Sequence, residues 1–162
     1  MKKCVYAGSF DPPTSGHRDI VDKCLKIFDE VVVAIMVNPN KTSYLTLEER
    51  EYLLKELYKN EERVKIVKFC GAAVDLLEQE KTPFYVRGVR NTVDFEYENA
   101  DMFASKKLKG DMITIYIPAE QEKLHISSTL ARSSVKFKKD LTGLIPKEIY
   151  QEFLKIAEKK DV

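Results

Sequence analysis

The chain has 162 residues, 44% hydrophobic and 33% charged, with a formal net charge of +1; this is the make-up of a globular and not a disordered protein, and it excludes the broad basic field of a nucleic-acid binder. Its longest uncharged apolar run, Val31 to Val37, is too short for a bilayer, and no signal peptide is expected before the strand-like run at Lys3. Three widely spaced cysteines, Cys4, Cys24 and Cys70, match neither a disulfide framework nor a zinc site, so buried thiols in a reducing cytoplasm are expected.

In chain order, short apolar and β-branched runs predict strands at Lys3–Ala7, Glu30–Val37, Val64–Phe69, Phe84–Arg87 and Met112–Ile117. Helical spacing of Ile20, Val21, Cys24, Leu25 and Phe28 marks Asp19–Phe28. A second helix opens on the Thr46-x-x-Glu49 capping box, and a third covers Ala72–Glu80. A fourth runs from about Val93 to Leu108, a fifth follows Ser127, and a last one starts at Pro146. Strand and helix alternate, which predicts a single α/β domain: a Rossmann-like, open, parallel five-stranded sheet with helices on both faces. Ligands of such sheets sit beyond the carboxyl ends of the strands.

Four polar segments fall at those ends. After strand one comes Gly8-Ser9-Phe10-Asp11-Pro12-Pro13-Thr14-Ser15-Gly16-His17. It is neither a Walker A loop nor a GxGxxG turn. Thr14 reads as an N-cap, which places Ser15, Gly16 and His17 in a first helical turn whose free N–H groups and dipole suit an anion and keep the imidazole neutral. A capped turn with a solvent-facing histidine accounts for the same residues. Lys41 follows strand two as a candidate phosphate ligand or plain surface. Arg87 and Arg90 flank Gly88-Val89 after strand four; their geometry suits phosphate, and ion pairs to Asp94, Glu96 or Glu98 are the alternative. After strand five, Ser127-Ser128-Thr129 read as an N-cap plus anion site, or as one cap and two spectators. No serine elbow, paired glycosidase carboxylates or Cys–His dyad is visible, so the four segments together fit phosphoryl chemistry done by positioning and charge.

These stretches carry a resemblance. GSFDPPTSGH resembles the (T/H)-x-G-H signature of the nucleotidylyltransferases, ISSTLAR resembles their I-S-S-T-x-x-R signature, and RGVRNTVDFEYE with TLEER is similar to bacterial phosphopantetheine adenylyltransferases over essentially the whole chain. The resemblance implies transfer of AMP from ATP to 4′-phosphopantetheine, giving dephospho-CoA and pyrophosphate, with Mg²⁺ carried by the ATP phosphates and no metal held by the protein. It implies His17 as transition-state stabiliser, by direct in-line attack without a covalent intermediate, with Lys41 and Arg90 as further catalytic groups. ATP would be held by Ser9, Phe10, His17, Gly88, Val89, Arg90, Glu98, Lys123, Leu124, His125, Ile126, Ser127, Ser128 and Thr129, and phosphopantetheine by Ser9, Lys41, Ala73 and Arg87. It further implies a cytoplasmic homohexamer, CoA as feedback inhibitor, and no nucleic-acid or membrane partner.

Ser9 and Thr129 stand where relatives more often carry threonine and serine, which keeps each hydroxyl, whereas Asn99–Ser105 departs from the family pattern. Two alternatives remain at this point. One is a sister transferase acting on nicotinamide mononucleotide or a phosphorylated alcohol; the other is an adenylate-binding protein without turnover.

Overall fold

A computed structural model describes residues 1–40, 42–96, 107 and 111–160. Strands β1 (Lys3–Gly8), β2 (Glu30–Met36), β3 (Val64–Phe69), β4 (Phe84–Val89) and β5 (Ile113–Pro118) form one sheet in the order β3-β2-β1-β4-β5. Every pairing is parallel, as the expected Rossmann-like fold requires. The order reverses direction between β1 and β4. There the register joins only Val5 to Tyr85 and Tyr6 to Val86, whereas β1 and β2 stay in register from Lys3↔Glu30 to Gly8↔Ile35. Beyond Tyr6 the two strands therefore part, and a crevice opens at the carboxyl edge.

Alternation along β2 builds two cores. Val31, Val33 and Ile35 face α1 (Ser15–Cys24), α2 (Leu47–Leu57) and the C-terminal helix, with Leu53, Leu54 and Phe153 among their buried partners. Val32 and Ala34 face the smaller cluster of Val74, Leu76 and Leu77 on α3 (Ala73–Gln79). Helices thus lie on both faces. Besides a helical stretch at residues 92–96, two more follow, α4 (Ser128–Lys136) and α5 (Tyr150–Lys160).

Several boundaries differ from the sequence reading. α1 starts at Ser15, as the Thr14 cap predicts and ahead of the apolar spacing marked from Asp19, but it ends at Cys24, beyond which the chain closes in turns before Phe28. α5 begins at Tyr150; Pro146 instead opens a tighter turn in which the Ile149 N–H donates to its carbonyl at 3.1 Å. The expected fourth helix is described only at residues 92–96 and 107. Cys4 and Cys24 are buried, and their mutual hydrogen bond, with burial, pushes the Cys4 thiol up. Cys70 is exposed at the end of edge strand β3, against the expectation that all three thiols are buried. Among the described residues no helix is long and apolar enough to cross a membrane.

Candidate active site

The corner after β1 is held from three sides. The Asp11 carboxylate accepts the Tyr44 and Leu45 N–H groups at 2.8 and 2.7 Å, and its carbonyl accepts Arg132 Nη1 at 2.6 Å. Ser128 Oγ donates to the Pro12 carbonyl at 2.8 Å, and the Ser15 N–H to Leu144 O at 2.9 Å. Buried Arg50 donates to the Ser9 carbonyl at 3.0 Å. Within this frame Phe10 adopts φ 49°, a conformation that costs on the order of 1–3 kcal/mol. Full burial of its ring, edge-on to Tyr6 at 5.6 Å and to His17 at 4.8 Å, offsets that strain.

Thr14 and His17 cap α1 reciprocally. The His17 N–H donates to Thr14 Oγ1 at 3.3 Å, and the Thr14 N–H donates to His17 Nδ1 at 3.0 Å. A backbone N–H can only donate, so Nδ1 carries a lone pair and the neutral ring bears its proton on Nε2. Burial, and secondarily the Arg90 charge, lower the His17 pKa from 6.5 to about 4. The imidazole is therefore neutral at pH 7, with one N–H to offer.

That ring borders a cleft of about 330 Å³ at the fork between β1 and β4. The cleft gathers Ser9 and His17 from the first corner, Gly88, Val89 and Arg90 from the end of β4, and Lys123, Ile126, Ser127, Ser128 and Thr129 from the segment after β5. Gly88 is demanded by packing: a Cβ there would meet Ile20 Cγ1 at 2.9 Å, where α1 crosses β4. At Gly16 a Cβ would find only ordinary contacts of 3.5 Å or more. Ser127 caps α4, its Oγ accepting the Leu130 N–H at 3.0 Å, so the first N–H groups of α4 converge on the cleft with the positive end of its dipole.

Arg90 pairs with Asp94, Nε to Oδ2 at 2.9 Å and Nη2 to Oδ1 at 3.3 Å, and both residues line the cleft. The ion-pair alternative raised by the sequence thus coexists with a cleft position. Arg87 lies outside the lining and donates to the Ala7 carbonyl at 3.4 Å and the Tyr85 hydroxyl at 3.1 Å. Phe10 belongs to the core instead of the lining, Leu124 and His125 are exposed beside it, and Ala73 stands at the start of α3, away from it. Lys41 and Glu98 lie outside the described residues, as does Asn99–Ser105.

Two residues of the cleft region went unread. Arg132 lines it and donates to Thr129 Oγ1 at 3.2 Å; its signal was the last letter of ISSTLAR. Buried Asp19 binds Lys123 and had no signal, since an acid on the second turn of a helix is ordinary surface chemistry. A second cleft, of about 600 Å³, adjoins the first; Ser9 and Arg132 line both, and Asn38, Pro39 and Thr42 continue it.

Comparison with known proteins agrees with this geometry. Residues 5–134 match the cytidylyltransferase-like family. A phosphopantetheine adenylyltransferase of Clostridium beijerinckii is 38% identical over 154 residues, covering 95% of this chain and 97% of that protein. Its counterpart from Christiangramia forsetii is 42% identical over 132 residues, 82% and 87% of the two chains. A crystal structure of a candidate nicotinate-nucleotide adenylyltransferase from Vibrio parahaemolyticus superposes with a TM-score of 0.69 at 22% identity, over 95% of this chain and 99% of that one, and shares the fold. By sequence, sheet order and cleft, the chain is a nucleotidyltransferase of the cytidylyltransferase-like class and belongs to the phosphopantetheine adenylyltransferase family.

Proposed function

We propose that the protein transfers AMP from ATP to 4′-phosphopantetheine, releasing pyrophosphate and dephospho-CoA, a step of coenzyme A synthesis. The observation that carries this reading is the convergence of a neutral His17, Arg90 and the capped Ser127–Thr129 turn on one cleft at the sheet's switch point. The triphosphate would lie along the α4 N-terminus and Arg90, with the nucleoside toward Gly88, Val89 and the Lys123–Ile126 segment.

The acceptor phosphate would enter where the two clefts meet at Ser9, on the side that leads toward Lys41. One of its oxygens attacks the α-phosphorus in line; the new O–P bond forms as the bond to the β-phosphate bridge breaks, and pyrophosphate leaves. A phosphate monoester is already a nucleophile, so no protein base is needed. His17 Nε2–H would stabilise the charge that grows on the α-phosphate, a donation that Thr14 makes possible by occupying Nδ1. The lining is rich in hydroxyls, N–H groups and cations, and its carboxylate, Asp94, is tied to Arg90. This donor set suits phosphate oxygens, so Mg²⁺ would ride on the triphosphate, where it would neutralise developing charge.

The test is pyrophosphate release with ATP or CTP against phosphopantetheine, nicotinamide mononucleotide and a phosphorylated alcohol. ATP with phosphopantetheine should be the productive pair. His17→Ala should lose about a hundredfold or more in turnover while keeping its far-UV circular dichroism, the scale of one preorganised donor. A near-normal rate in that variant would remove His17 from the mechanism.

A further inference from the structure

We propose that Asp19 is a positioning residue, the centre of a clasp that holds the segment between β5 and α4 in the shape that receives the nucleoside half of ATP. The proposal rests on the adenylyltransfer reading above. Asp19 is only 6% exposed, yet it does not line the cleft. A buried carboxylate is costly unless paired, and this one takes three donors: Lys23 Nζ at 3.0 Å, Lys123 Nζ at 3.2 Å and the Glu120 N–H at 3.2 Å. Burial pulls its pKa up, but these bonds together hold it below the ordinary carboxylate value.

Lys23 extends the grip. One helical turn after Asp19, its Nζ also reaches the Pro118 carbonyl at 2.6 Å and the Glu120 carboxylate at 2.8 Å. Two side chains of α1 thus seize the far segment from Pro118 to Lys123. That segment contains a single 3-10 turn, Gln121–Lys123, and is tied to β4 by the Ala119 N–H donating to Val89 O at 2.9 Å; the α1 side chains add a second anchorage from the other side of the cleft. Ala119 and Lys123 from it line the cleft, and α1 bears His17 two residues before Asp19. Through the clasp, the wall facing the nucleoside is set against the helix that carries the imidazole. The triphosphate grip on the α4 N-terminus is independent, since Ser127 and Ser128 are held by the α4 cap and by Pro12.

Asp19→Asn and Lys23→Met separate the two halves of the ligand. Calorimetry with ATP and with inorganic tripolyphosphate should show ATP weakened about tenfold and tripolyphosphate changed by no more than about twofold, the scale of one lost charge-assisted bond. The KM for ATP should rise in parallel while that for phosphopantetheine holds. If Asp19→Asn fails to fold, Lys23→Met, at a position more open to solvent, decides the question. Equal weakening of ATP and tripolyphosphate, or no change for either in a folded variant, overturns the clasp. Binding alone judges the clasp and pyrophosphate release in the wild type alone judges the reaction, so the two fail separately.

Discussion

His17 serves the fold and the site with different atoms. Nδ1 and the main-chain N–H close the cap of α1, which leaves Nε2 for a ligand. Because the folded ring titrates near 4 and the unfolded one near 6.5, the fold favours the neutral form. That stability is complete above pH 6.5 and fades as pH falls toward 4, at a slope of up to about 1.4 kcal/mol per pH unit. Denaturant unfolding of wild type and His17→Ala between pH 4 and 7 should show the difference, with the wild type losing more on acidification. Equal slopes would mean that the ring is solvated and titrates normally. Thr14 as cap was readable because a cap is local in sequence. The reciprocal bond to Nδ1 was not, since a glutamate or glutamine usually fills the third helical position.

At the scale of elements, the contact between α1 and β4 controls where His17 sits. Gly88→Ala should drive Ile20 away by its 2.9 Å clash and destabilise the protein by about 1–3 kcal/mol. Turnover should fall further than the loss in thermal midpoint alone accounts for, and adding Ile20→Ala should recover part of both. The elements themselves were largely legible: β-branched runs gave five strands, and the Thr46 and Ser127 caps began helices where expected. The direction in which Arg87 turns was not legible, because the number of residues after a strand does not say which way an arginine points; it donates to Ala7 O and the Tyr85 hydroxyl. The Asp19 clasp was invisible for a different reason: its partner Lys123 is 104 positions away.

At the scale of the molecule, the larger core unites the site with the C-terminus. Phe153 on α5 is fully buried in the same cluster as Phe10, Ile20 and Ile126. Phe153→Ala should cost about 3–5 kcal/mol in denaturant unfolding, and an effect under about 1 kcal/mol would mean that α5 is a loose appendage. That the cleft lies at the carboxyl edge of the sheet was legible from strand alternation, whereas its place between β1 and β4 follows from the strand order, which alternation does not give. Assembly was a matter of resemblance only, and the hexamer it implies stands as a proposal for light scattering to weigh.

The short seam between β1 and β4 divides the sheet into unequal leaves, one of three strands and one of two. The larger leaf bears Ser9 and His17; the smaller bears Arg90 and leads into the Ser127–Thr129 turn. Donor and acceptor would thus be gripped by separate plates joined along a narrow spine, much as two covers meet at a book's binding. Any tilt between the plates would change the gap between attacking oxygen and phosphorus, and it is resisted by the core that spans both, where Ile20 of α1 packs on Gly88 of β4. Side chains that bridge the plates, such as Asp19 and Lys23, would then act as the stays that limit the opening angle.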